Sequence, residues 1–161
     1  MYPSEIIYSP CSATGDLLEQ ALNVLYIPTV RLRSETDILQ EMVLKNCFNL
    51  VMNVCGLALG IDSTFGELLA DTNSELRNLV ATEAILLQQY LCKSMLNQDA
   101  LKAQLFDYMQ KVPEMRCQGR YARARLGRAL LVADSANLPS PELRRIEFMT
   151  RIATLTCSNC K

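Results

Sequence analysis

The chain has no histidine and no tryptophan. Without histidine, Ser-His-Asp and Cys-His nucleophilic systems are excluded, together with every His-ligated metal site. No Walker loop, G-x-G-x-x-G or G-x-S-x-G occurs, so nucleotide-cradling turns and nucleophile elbows are missing as well. Any acid–base chemistry would fall to carboxylates, Lys, Tyr or Cys. The expectation is a non-enzymatic protein that needs no cofactor. Glycine and proline number six each in 161 residues, too few for a fibrous or disordered chain. Aromatic residues make up only 6 %. Leu, Ala, Val and Met take their place, which favours helices over a β-sandwich. No run alternates at period two, and no Asn-Gly or Asp-Gly hairpin signal appears. The opening MYPSEIIYSP lacks the basic start and apolar run of a signal peptide. There is no Asn-x-Ser/Thr sequon, no myristoylation glycine and no prenylation cysteine. With seven cysteines, several in apolar helical runs, the chain fits a reducing setting, so an intracellular protein, cytoplasmic or nuclear, is expected.

Half of the chain is hydrophobic, enough for one domain with a sizeable core. The apolar residues fall at helical spacing. A first helix is predicted from about Gly15 to Tyr26, with Leu17, Leu18, Ala21, Leu22 and Leu25 on one side. It is preceded by an irregular arm at 1–13, where Pro3 and Pro10 disfavour regular structure. A long helix over Ser34–Gly60 opens on a Ser34 cap and stops at a glycine. It is apolar around most of its circumference. Lys45, Asn46, Asn49, Asn53, Gly56 and Gly60 share one narrow face at about 100° per residue. These polar interruptions make it a poor membrane span. Either the stripe is the wet edge of a core helix, or it is a seam (Asn46, Asn49, Asn53, Gly56) where glycines admit another backbone and asparagines set register.

Thr64 with Glu67 and Thr72 with Glu75 have capping-box spacing, which predicts a short helix at Phe65–Ala70 and a long one at Asn73–Leu96. Further helices are expected at Asp99–Val112, over an Arg-rich stretch at Glu114–Ala133, and after Ser140–Pro141. The tail, 156–161, is expected to fray. The prediction is an all-α, single-domain bundle of about six helices around the long, mostly buried helix at 34–60.

Charge is segregated. Residues 1–99 carry five Lys/Arg against twelve Asp/Glu, a net of −7, and residues 100–161 carry eleven against five, a net of +6. Such asymmetry points to a polyanion partner or to complementary surfaces that meet. The basic candidates are Arg116, Arg120 and Arg123, in line at i, i+4 and i+7 of the predicted Arg-rich helix, with Arg125 and Arg128 projecting from other sides near Tyr121, and Arg144 and Arg145 on the last helix. Arginine forks match phosphate and carboxylate. A second face of the same helix, Gly119, Ala122, Leu126, Ala129 and Ala133, is small enough for close helix packing. The leading expectation is an interaction protein, self-associating or a subunit of a larger assembly. The alternative is sequence-nonspecific RNA or DNA binding through the 114–133 helix. Cys157-x-x-Cys160 is half of a zinc site, to be completed by Cys117 and Cys11, the cysteines least expected to be buried, or by two from a second chain. The acidic group Asp62, Glu67, Asp71 and Glu75 is explained by helix starts.

Overall fold

The computed structural model describes residues 7–10, 13–25, 29–32, 34–60, 62–93, 95, 97–117, 119 and 121–158. The chain is an all-α bundle. Among the described residues it has seven α-helices, one 3₁₀ turn and two four-residue strands. It divides into two compact units, Met1–Val43 and Leu44–Lys161, and the boundary falls within the longest helix.

The first unit holds strand β1 (Ile7–Pro10), helix α1 (Ala13–Val24) and strand β2 (Thr29–Leu32), then the opening turns of helix α2 (Glu35–Leu59). β1 and β2 pair in parallel, from Ile7 opposite Thr29 to Pro10 opposite Leu32. Parallel strands require a crossover, and α1 supplies it, packing on both strands. This corrects the irregular arm expected at 1–13 and the plain connection expected after Pro28. Pro10 is tolerated because each strand of a two-stranded ribbon has a free edge. The Ser34 hydroxyl accepts the Asp37 N–H at 3.1 Å and so caps α2, as its position predicts.

The second unit contains the rest of α2, then α3 (Phe65–Leu69), α4 (Ser74–Cys92), α5 (Gln98–Gln110), α6 (Ala122–Ala136) and α7 (Pro141–Ser158). α4 is in contact with α3, α5, α6 and α7. It buries Val80, Ala81, Ala84, Ile85 and Leu87 against them, each large side chain contributing about 1.5–3 kcal/mol. α2 packs on the same core through Val51, Val54 and Cys55, while Phe48 meets Phe65 and Tyr108 edge-on at 5.6 and 4.9 Å. From Thr36 to Leu59 α2 is long and apolar enough to cross a membrane. Two of its polar interruptions bond to protein instead: Asn46 Nδ2 donates to Gln88 Oε1 of α4 at 3.2 Å, and Asn53 is described below.

The helix ends follow local chemistry. Thr64 and Glu67 form the expected capping box. Gly60, at φ 121°, ends α2. The Thr72–Glu75 box does not form. Asp71–Asn73 makes a 3₁₀ turn, and Asn73 Nδ2 donates to the Glu67 carbonyl at 2.7 Å. Arg77 reaches back to the last carbonyls of α3, at 3.3, 3.0 and 2.8 Å from Leu68, Leu69 and Ala70, and closes that helix with a cation. α4 stops at Cys92, with Lys93 left-handed at φ 51°, short of the predicted Leu96. Asn97 caps α5 through the Ala100 N–H at 3.0 Å.

Two further differences bear on function. The Arg-rich helix starts at Ala122, not Glu114. Residues 113–117 turn past the start of α3 as a strap. Gly66 N–H donates to the Pro113 carbonyl at 2.8 Å, Phe65 N–H to Met115 at 2.9 Å, and Cys117 N–H to Ser63 at 2.8 Å. Thr64 and Arg116 form an antiparallel bridge. Backbone groups bonded to α3 in this way are not free for a helical ladder. At the other end, α7 continues to Ser158, into the stretch expected to fray.

Candidate interaction surface

The strap dismantles the predicted row of arginines. Arg116 lies on it, exposed, 3.2 Å from Asp62. Arg120 lies outside the described residues. Only Arg123, Arg125 and Arg128 are on α6, where residues repeat at 100°. Arg125 and Arg128 project about 60° apart, and Arg123 points to the opposite side. None of the three has an acidic partner among the described residues. The arginines of α7 are all paired. Arg144 bonds Asp134 across to α6. Arg145 forks onto Glu142, with Nη2–Oε1 at 2.5 Å and Nε–Oε2 at 2.8 Å, and this bond raises the guanidinium pKa. Arg151 reaches Glu147 at 2.5 Å.

The small-residue face of α6 is internal. Ala122, Leu126, Ala129 and Ala133 are buried. The stripe on α2 grades from wet to dry. Lys45 and Asn46 are exposed, Asn49 is half-buried, and Asn53 and Gly56 are buried. Asn53 Nδ2 donates to the Asn49 carbonyl at 2.6 Å, and its Oδ1 accepts the Gly119 N–H at 3.0 Å. A Cβ on Gly119 would stand 2.9 Å from that oxygen. Asn53 therefore bonds α2 to the chain's own strap, with glycine allowing the close approach.

The buried carboxylate of Glu83 escaped sequence reasoning. It sits on α4 and accepts the N–H groups of Glu142 at 2.8 Å and Leu143 at 3.0 Å, the open donors at the start of α7. The Ser140 hydroxyl, expected to cap this helix, is buried without a hydrogen-bond partner, and Glu83 does the capping from another helix. Burial raises the Glu83 pKa and outweighs the two backbone bonds that lower it; Glu142 raises it further and Arg144 opposes. The signal in the sequence was a lone charge inside Val80–Leu87.

The remaining polar groups are engaged or inert. Glu67 Oε2 accepts the Thr64 N–H at 2.9 Å, and Asp62 pairs with Arg116. Burial pushes the Cys47 thiol up to about 12 and Cys117 to about 11, and raises Cys55 as well. Such thiols are poor nucleophiles at neutral pH. Cys117 is fully buried, which corrects its choice as an accessible zinc ligand. Cys157 falls within α7, and Cys160 and Cys11 lie outside the described residues. No metal-binding group of side chains occurs among the described residues.

What stands open is apolar. On α1, Leu17 and Val24 are 68 and 76 % exposed, and Leu25 just after its end is 65 % exposed. On α6 and α7, Leu131, Phe148 and Ile152 are 69, 63 and 44 % exposed. Comparison with protein-family models, curated proteins and solved structures gave no match to this chain.

Proposed function

We propose that the protein is a non-enzymatic helical interaction protein of the cell interior that self-associates. The supporting observation is α1. Its aliphatic side chains Leu17, Leu18 and Val24, with Leu25 just after its end, are exposed on a helix that forms part of a defined β-α-β unit. Apolar surface gathered on one face favours association. Segregated charge adds attraction between copies, because residues 1–43 carry two Lys/Arg against six Asp/Glu while residues 44–161 carry fourteen against eleven. The buried thiols Cys47, Cys55 and Cys117 are free, which suits a reducing compartment. Light scattering over a concentration series, at low and high salt, tests this. The expected result is a species larger than one chain that dissociates partly as salt rises; a single chain at every concentration in both salts would refute it.

A second reading is favoured by the unneutralised Arg123, Arg125 and Arg128, which suit the backbone phosphates of RNA or DNA. It is weakened because Arg123 diverges from the other two. Replacing all three by Ala should abolish salt-sensitive binding to single-stranded and duplex nucleic acid; unchanged binding excludes it.

A further inference from the structure

We propose that the start of α7 is a proton-operated latch: a proton on Glu83 holds it against α4, and loss of that proton lifts the first turn of α7 and returns the carboxylate to water. The latch does not depend on self-association. Its parts lie at one spot. Glu83 of α4, Glu142 of α7 and Ser140 just before α7 are all buried. With Ser140 as the N-cap, Pro141 is N1, Glu142 is N2 and Leu143 is N3. A cap hydroxyl ordinarily serves the N2 and N3 N–H groups. Here Glu83 Oε1 and Oε2 hold those two donors, at 2.8 and 3.0 Å, and the Ser140 hydroxyl at the cap position has no partner. The helix ladder begins one residue later, with the Arg144 N–H donating to the Ser140 carbonyl at 3.1 Å. The Glu142 and Leu143 N–H groups therefore report on Glu83.

The surrounding charges make the site sensitive to one proton. Two carboxylates are buried at one helix start, and the Arg145 fork, at 2.5 and 2.8 Å, goes to Glu142 alone. Arg144 also acts on Glu83, but it is shared with Asp134 of α6. Glu75 of α4 acts on Arg145, and Glu142 on the Cys55 thiol of α2. Among the described residues, α3 and α5 bring no charge that acts on Glu83. Burial first, and then Glu142, disfavours the ionised form. A neutral carboxyl keeps a carbonyl oxygen for an N–H and adds an O–H that needs an acceptor. The open lone pairs of the Ser140 hydroxyl supply one. Because the folded pKa stands above the ordinary Glu value, the latch is closed below that value and opens as pH rises through the folded pKa.

Amide hydrogen exchange of the full chain, from about pH 4 to about pH 8, tests this when each rate is divided by its unstructured value at the same pH. Protection of Glu142 and Leu143 should fall as pH rises, about tenfold for each unit by which the folded pKa exceeds the ordinary one. Both amides should be less protected than Leu105 in the core of α5, and less sensitive to low urea, because lifting one turn exposes little surface. Glu83→Gln cannot ionise and should show no such fall. Glu142→Gln removes the like charge and Ser140→Ala the acceptor, so each should move the fall to lower pH and shrink it. Arg144→Ala should move it to higher pH; this position is exposed, so the test survives if a buried variant fails to fold. Equal protection and equal urea dependence at Glu142, Leu143 and Leu105 would mean that they open only with the whole fold, and overturns the latch. So does a pH profile shared by Glu83→Gln and wild type, or protection that rises with pH.

Discussion

α6 and α7 are neighbouring helices of similar length with three arginines each, yet their surroundings differ. α7 is satisfied from within the chain. Its first N–H groups bond Glu83, and its arginines bond Asp134, Glu142 and Glu147. α6 opens at Tyr121 with no side-chain cap, and Arg123, Arg125 and Arg128 have no acidic residue three or four positions away on either side. Neutralisation on a helix surface depends on that spacing. The charges of α7 therefore read as structure, whereas α6 presents an outer face with charge left over; both helices leave apolar area open.

The strongest way to break the contrast is to remove the α7 anchor. Glu83→Ala leaves two buried N–H groups without acceptors and should cost about 3 kcal/mol of unfolding free energy in urea melts. A change under 0.5 kcal/mol would mean that water takes over the cap. The pH dependence of the same group has a definite sign. Its folded pKa is raised, so the stability it contributes is fully present below the ordinary Glu value and is lost as pH rises through the folded pKa. Relative to Glu83→Gln, wild type should therefore weaken as pH climbs from about 4 toward neutrality. An opposite slope would show that the two backbone bonds outweigh burial.

The next effect concerns the strap that delays the start of α6. Gly119→Ala pushes a Cβ against Asn53 Oδ1 and should destabilise by about 1–3 kcal/mol. With Asn53→Ala already present, the same change should cost less, because the clashing atom is gone. Additive losses in that double-mutant cycle would separate the two residues. The smallest effect sharpens the comparison itself. Arg145→Ala should lower stability by about 0.3–1 kcal/mol, and Arg128→Ala should stay within about 0.5 kcal/mol while weakening self-association. An equal loss from both would erase the distinction between the two helices.

Much of the helical plan was legible because its punctuation is local. Ser34, Thr64 with Glu67, Gly60 and Pro141 mark boundaries through groups within a few residues of themselves. What escaped depends on distant partners. Residues 114–121 have helical composition, but Phe65 at the start of α3 takes the Met115 carbonyl and Ser63 just before it takes the Cys117 N–H. The β1–β2 ribbon is four residues per strand, too short for alternation to register. Ser140 has the spacing of a cap, and a carboxylate 57 positions earlier in the sequence takes its place. Of the expected surface, the alignment of Arg116, Arg120 and Arg123 required one helix over 114–133, and the helix begins only at Ala122. The open face of α1 could not be foreseen from periodicity, which gives an apolar side without saying what covers it.

The Glu83 cap also has a meaning in time. It joins positions 59 apart, and the Asn53–Gly119 bond joins positions 66 apart. Loops of that size close late, after the local pairing of neighbouring helices. During synthesis the Glu83 carboxylate remains hydrated until Glu142 and Leu143 have been added, and α4 keeps one side uncovered until then. α7 is thus what takes that charge out of water.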